Sequence, residues 1–89
     1  MYNINPLIYK LNGFTLVHEP ATHYSFDDNL EVYNSDNKCV TSVILSSRFG
    51  EILIEVPDSI SSYVGIDYDE LREDKDFMSF VQDVKSKVR

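Results

Sequence analysis

The apolar residues of this chain recur at two different spacings, and the change between them most constrains the fold. From Phe14 to Glu19, apolar and polar residues alternate, which is the period of a half-buried β-strand. From Phe77 onward, apolar residues recur every three or four positions, which is the period of an amphipathic helix. The sequence therefore predicts an α+β domain in which a sheet precedes a helix.

Four segments are predicted to be the strands of one small antiparallel sheet. They are residues 14–19, 30–34, 39–46 and 51–56. The stretch 35–38 (Ser-Asp-Asn-Lys) and the stretch 48–50 (Arg-Phe-Gly) are turn signals, and Pro57 ends the last predicted strand. In the second strand, Leu30 and Val32 are expected to face inward, with Glu31 and Tyr33 facing outward. The last three strands form a meander in this prediction.

Helices are predicted at both ends of this sheet. Asn5 and Pro6 are typical of a helix start, and Gly13 of a helix end, so a short N-terminal helix is expected. Asp58 is a candidate cap for a short helix through Tyr63. The longer C-terminal helix follows a break near Asp74 and is expected to pack on one face of the sheet, as the N-terminal helix does. Its apolar stripe consists of Phe77, Met78, Phe80, Val81, Val84 and Val88.

Size and charge narrow the classes of partner. At 89 residues, the chain is predicted to form one domain. It contains 15 acidic and 8 basic residues, giving a formal charge of −7. That charge repels phosphate backbones and anionic lipids, so we expect no direct nucleic-acid binding and no membrane binding. It favours a basic protein partner.

Targeting features point to the cytoplasm. Cys39 is the only cysteine, so the chain forms no internal disulfide of the kind that small secreted domains use. The longest apolar runs contain three residues, and the N-terminus lacks the pattern of a signal peptide. We expect Cys39 to pack as a small apolar residue at a strand start.

No motif for catalysis or for a cofactor is present in the sequence. There is no Gly-x-Ser-x-Gly elbow and no Gly-rich phosphate loop. The nearest approach to a metal cluster is the set His18, Glu19, His23, Asp27 and Asp28. Its spacing matches no ligand pattern, and a half-buried His18 bonded to the backbone accounts for the same residues. We therefore predict no enzyme activity, no metal and no cofactor.

The densest group of acids lies before the C-terminal helix. The group, with the tyrosine inside it, consists of Asp67, Tyr68, Asp69, Glu70, Glu73, Asp74 and Asp76. Acidic side chains near helix starts stabilise the positive end of the helix dipole, and this effect explains the arrangement without any partner. The alternative is that these acids, with Tyr63 and Tyr68, dock on a basic surface.

A second acidic and aromatic group spans a long predicted loop (20–29) and the outward side of the sheet. It consists of Tyr24, Phe26, Asp27, Asp28, Glu31 and Tyr33. Rings that alternate with carboxylates imitate stacked bases and phosphates, so such a group can act as a nucleic-acid mimic. The alternative is that Phe26 fills the core under the loop while Tyr33 covers the open side of the sheet.

Three hypotheses for function follow from these observations. The first is a small acidic, non-enzymatic protein-binding module, either monomeric or homodimeric. It would be an inhibitor or immunity-type protein that blocks a basic site on a nucleic-acid-handling enzyme or toxin. In size and charge the chain resembles phage-encoded inhibitors and toxin-immunity proteins. The second is a structural or self-assembling accessory domain, and the third is a small metal-dependent hydrolase using His18, His23 and Asp27.

Overall fold

Four antiparallel strands followed by three helices make up the part of the chain that the computed structural model describes, residues 7–21, 27–45 and 52–88. The α+β class, the four-stranded meander and the placement of the longer helices toward the C-terminus are confirmed. In chain order the elements are β1 (Ile8–Leu11), β2 (Phe14–Glu19), β3 (Asp28–Tyr33), β4 (Cys39–Leu45), α1 (Ile52–Val64), α2 (Tyr68–Glu73) and α3 (Lys75–Lys87). The sheet order is the chain order, so β1 and β4 are its edges.

The first described element is a strand, and the predicted N-terminal helix is wrong at residues 8–11. β1 pairs with β2 in a hairpin in which Ile8 lies opposite Val17. Asn12 and Gly13 form the turn with φ angles of 51° and 84°. Asn-Gly is the preferred pair for a two-residue hairpin turn, because both of its residues accept positive φ. Asn5 and Pro6 lie outside the described residues.

The predicted fourth strand is also wrong, because residues 52–56 belong to α1. The alternating residues Ile52, Ile54 and Val56 suit a strand, but Ile54 is exposed in the structure. The buried residues of α1 instead follow helical spacing: Ile52, Val56, Pro57, Ile60 and Val64. Pro57 lies inside the helix and donates no backbone hydrogen bond to the carbonyl of Leu53. Its burial in the core offsets that loss.

The predicted helix start at Asp58 is wrong, because Asp58 lies inside α1, whereas the helix end at Gly65 and the break at Asp74 follow the sequence. Gly65 ends α1 with φ of 72°, and the amides of Gly65 and Ile66 donate to the carbonyl of Ser61 over 3.0 and 3.3 Å. The break at Asp74 is confirmed. Its carboxylate caps α3 by accepting from the amide of Phe77 at 3.1 Å. Asp67 stands at the cap position of α2, but its side chain makes no capping hydrogen bond.

The core lies between one face of the sheet and the three helices. The strands contribute Leu11, Leu16, Leu30, Val32 and Leu45, and the helices contribute Ile52, Val56, Ile60, Val64, Leu71, Phe77, Phe80, Val81 and Val84. Tyr9 of β1 stacks on Phe80 of α3 with ring centroids 5.3 Å apart. This packing holds the short edge strand β1 against the helical layer.

A long-range hydrogen bond joins the tip of the first hairpin to the end of α1. The side-chain amide of Asn12 donates to the carbonyl of Val64 at 2.6 Å. The carbonyls in the last turn of a helix have no partner within the helix, so Asn12 satisfies one of them. The β1–β2 turn is thereby fixed to the helical layer.

We expect the substitution Asn12→Ala to lower the free energy of unfolding by about 1 kcal/mol more than Asn37→Ala does. Asn37 is the matched control because it also has positive φ (66°), so both substitutions lose the same backbone preference. Only Asn12 bonds to a distant element. Chemical denaturation measures both values, and equal losses for the two variants would contradict a stabilising role of the Asn12–Val64 bond.

Candidate partner-binding surfaces

The side of the sheet that faces away from the helices is not covered by any described residue. Because side chains alternate along a strand, this open face carries Ile8, Lys10, Thr15, Val17, Glu19, Asn29, Glu31, Tyr33, Ser42 and Ile44. Ile8 and Ile44 are 56% and 61% exposed, more than the other large aliphatic residues that the structure describes. The open face therefore combines apolar groups with charged and hydroxyl groups.

The strand register places a carboxylate at the centre of the open face. Glu31 lies between Val17 on β2 and Ser42 on β4. Tyr33 stands two residues along the same strand, so it projects on the same side as Glu31. The exposed Ile8 and Ile44 lie toward the two edges. The acidic centre is thus flanked by aliphatic side chains.

Glu31 and Tyr33 form a hydrogen-bonded pair. The phenol of Tyr33 donates to Oε1 of Glu31 at 3.2 Å. Partial burial, followed by the negative charges of Glu31 and Glu19, raises the pKa of Tyr33 above its ordinary value. The phenol is the donor of this hydrogen bond, and the carboxylate of Glu31 has acceptor capacity beyond it, so a cationic partner can also bind there.

Asp28 does not belong to an exposed surface, contrary to the sequence-based interpretation. It opens β3 and is only 8% exposed, beside His18 at 3%. Nε2 of His18 donates to Oδ2 of Asp28 at 2.6 Å, and Oδ1 accepts from the amide of Ala21 at 3.1 Å. His18 was expected to bond through its ring to the backbone, and the carboxylate takes that place. The pair fixes the start of the β2–β3 connection.

The structure gives no geometric support to the metal hypothesis. Within the described ranges, no three His, Cys, Asp or Glu side chains form a group that would hold a metal ion. His18 and Glu19 are consecutive in β2, so they project to opposite faces of the sheet. His23 lies outside the described residues.

The acidic helix surface is formed by Asp67, Tyr68, Asp69, Glu70, Glu73, Asp74 and Asp76, on α2 and at the start of α3. All of its carboxylates except the half-buried cap Asp74 are exposed. The helix dipole accounts for Asp69, Glu70 and Asp76, which lie in first turns. It does not account for Glu73, which lies at the negative end of α2. Asp69 and Glu73 are four residues apart, a like-charge spacing that destabilises a helix.

Among the described residues, no lysine or arginine forms an ion pair within 4 Å with this surface, and the ion pair that is seen joins His18 and Asp28. Arg72 lies over the ring of Tyr68, 5.6 Å from its centroid, and donates to its hydroxyl at 3.3 Å. Tyr9 has a raised pKa, first through burial and then through the charges of Asp74 and Asp76. Their negative field therefore reaches the β1 edge.

Comparisons with known proteins do not assign the chain to a family. No protein-family model, no curated protein and no solved structure matches it. In the described ranges, none of the helices combines the length and the apolar character that crossing a bilayer requires.

Two of the remaining predicted residues, Asp27 and Cys39, are exposed. Asp27 is exposed and directly precedes β3. Tyr24 and Phe26 lie outside the described residues. Cys39 begins β4 as expected, but it is exposed rather than packed, with its thiol 3.4 Å from the carbonyl of Thr41.

Sequence reasoning missed Ile8 and Ile44, the most exposed apolar residues of the open face. The helix expected at the N-terminus includes Ile8, and the β-branched pattern of the third predicted strand does not single out Ile44. The Asn12-Gly13 turn was the available signal. Once it is interpreted as a hairpin, the register places Ile8 opposite Val17 on the side away from the core.

We expect Asp28→Ala to lower the free energy of unfolding by about 3 kcal/mol, because it leaves the buried His18 ring without an acceptor and removes the acceptor of the Ala21 amide. The exposed Asp36→Ala variant serves as the control and should change stability by less than about 0.5 kcal/mol. The double variant His18→Ala/Asp28→Ala should lose less than the sum of the single losses, as measured by denaturant unfolding. Additive losses would show that the two side chains are not coupled.

Proposed function

We propose that this protein is a small non-enzymatic binding module that docks on a basic site of a protein partner through its open face. The observation that carries the proposal is the uncovered sheet face, on which exposed Ile8 and Ile44 flank the Glu31–Tyr33 pair. Exposed aliphatic side chains beside a carboxylate and a tyrosine on one uncovered face form a candidate docking surface.

The composition of the open face suits a protein interface. Interfaces combine apolar and aromatic residues at their centre with polar groups at the rim, and tyrosine is enriched among residues that contribute most to binding. Ile8, Val17 and Ile44 supply aliphatic area, and Tyr33 supplies an aromatic ring. By contrast, the acidic helix surface offers charge with little apolar area, so we assign it a supporting role.

Charge supports a basic partner. Glu19 and Glu31 are on the open face with one cation, Lys10, and the whole chain carries −7. A tyrosine ring beside a carboxylate is a good site for an arginine, which can stack on the ring and bond to the acid. Sites with clustered arginine and lysine occur in nucleic-acid-handling enzymes and toxins, where they bind phosphate. A protein that covers such a site is an inhibitor or an immunity protein.

Self-assembly is the second candidate function, and the observation that favours it is the edge strand β4. This strand contains no charged residue, so electrostatic repulsion opposes self-pairing least at this edge. A protein that remains monomeric in light scattering at micromolar concentration would remove this candidate.

We expect Ile44→Asp to abolish capture of the partner from a lysate of the cells that make the protein. The introduced carboxylate would have to lose its hydration water when the interface forms, which costs several kcal/mol. The control is Ile54→Asp, because Ile54 is also an exposed isoleucine (41%) but lies on α1, in the helical layer. Mass spectrometry of the captured proteins should show one partner that Ile54→Asp retains and Ile44→Asp loses. Equal retention by both variants would exclude the open face.

For the acidic helix surface, we expect Asp69→Lys/Glu73→Lys to slow association with the captured partner about ten-fold at low salt and to leave dissociation nearly unchanged. Asp36→Lys/Asp83→Lys makes the same change in net charge at other exposed positions and should have a smaller effect. Surface plasmon resonance gives both rate constants. The difference between the two variants should vanish in high salt, and a difference that persists would contradict the steering role.

A further inference from the structure

The edge strand β4 lacks the charged residues and the proline that often protect a sheet edge. No described residue pairs with β4 on the side away from β3. The strand has seven residues and contains neither a proline nor a charged side chain. The other edge, β1, has four residues, one of them Lys10. Natural proteins block exposed edges with short strands, charges or proline, so β4 stands out as an edge open to a further strand.

The regular part of β4 runs from Thr41 to Leu45. A register shift opposite Val32 and Tyr33 disturbs the ladder near the start of the strand. From Thr41 onward, each residue of β4 has one partner on β3, and Ser42 lies opposite Glu31. A further strand would therefore find a regular backbone ladder beside Ser42 and Ile44.

The small side chain of Ser42 leaves a path from this edge to Glu31. A strand added beside β4 lies two strand spacings from β3, about 10 Å. A residue of that strand opposite Ser42 would project onto the open face in the same row as Glu31. A long cationic side chain at this position can extend over Ser42 to the Glu31 carboxylate, whose neighbour Tyr33 presents an aromatic ring. A short or acidic side chain would leave the carboxylate without a partner.

Ile44 sets a second requirement for the sequence of the added strand. It lies two residues from Ser42, on the same face, and is 61% exposed. The added strand has the same alternation, so its residue two positions from the cation lies opposite Ile44 in either strand direction. An aliphatic side chain there would cover Ile44.

We propose that β4 accepts an extended basic segment of the partner as a fifth strand, with arginine or lysine opposite Ser42 and an aliphatic residue opposite Ile44. The inference rests on the proposed function and specifies the form of the partner. Main-chain hydrogen bonds supply affinity in this type of recognition, and side chains at alternate positions supply specificity.

A second copy of this chain fits the edge less well. The seven residues of its β4 carry no cation, so pairing between these residues of two copies brings none to Glu31. Both copies would also carry a charge of −7. Charge complementarity therefore favours a basic segment of another protein.

The probe for the test is a synthetic nine-residue peptide of alternating valine and threonine with one central arginine on the valine side, blocked at both ends. The comparison peptide has glutamate at the centre. Fluorescence anisotropy should give at least ten-fold tighter binding for the arginine peptide. Amide hydrogen exchange should slow in β4 and remain unchanged in β1.

Two substitutions that change the net charge equally then test the role of Glu31. Glu31→Gln should remove most of the preference for the arginine peptide, while Asp83→Asn, at an exposed position of α3 outside both surfaces, should keep it. Binding without slowed exchange in β4 would overturn the inference, and so would equal affinity for both peptides. Slow exchange in β4 that depends on protein concentration without peptide would show that a second copy occupies the edge, which also overturns it.

The peptide-binding experiment and the capture experiment can fail independently of each other. If Ile44→Asp loses the captured partner but neither peptide binds at β4, the open face remains a docking site and the added strand is wrong. If the arginine peptide binds at β4 but capture is indifferent to Ile44→Asp, the edge is real and the proposed docking mode of the whole protein is wrong.

Discussion

All the helices of the described chain follow the sheet in sequence, and they pack together on one of its faces. Their apolar residues meet Leu16, Leu30 and Val32 at the centre of the sheet and remove them from water. Burial of this kind supplies most of the favourable free energy of folding. Because no described helix is left for the other face, the same packing that stabilises the domain also leaves that face open. The proposed binding surface is therefore a direct consequence of how the core is built.

The regular parts of the fold could be predicted from local patterns. Alternation identified β2 with its correct bounds, and helical spacing with the break at Asp74 identified α3. The two errors have a common physical origin, since each involved a short apolar segment that suits both periods. Residues 8–11 became a strand because the Asn12-Gly13 turn brought them back against β2. Residues 52–56 became helical because their apolar positions continue at Ile60 and Val64, beyond a proline that had been taken as a terminator.

The site was less accessible to sequence reasoning, because its members are brought together by strand register. Glu31 and Tyr33 were expected to face outward and do so, since alternation along one strand is a local property. Asp28 appeared equally polar in sequence, but pairing across β2 and β3 buries it against His18. The neighbours of Glu31 on adjacent strands, Val17 and Ser42, follow only from the observed register. Local sequence therefore indicates which way a side chain points but not what lies beside it.

The bond from Asn12 to Val64 has a consequence for how the binding surface is maintained. β1 has only four residues, and a hairpin that short has little stability by itself. It is held by Tyr9 against α3 and by Asn12 at the end of α1, in segments more than 50 positions later in the chain. Ile8, at the rim of the open face, is part of this strand. Loosening the helical layer would thus release the rim on the opposite side of the sheet, so the two faces are mechanically linked through the thickness of the domain.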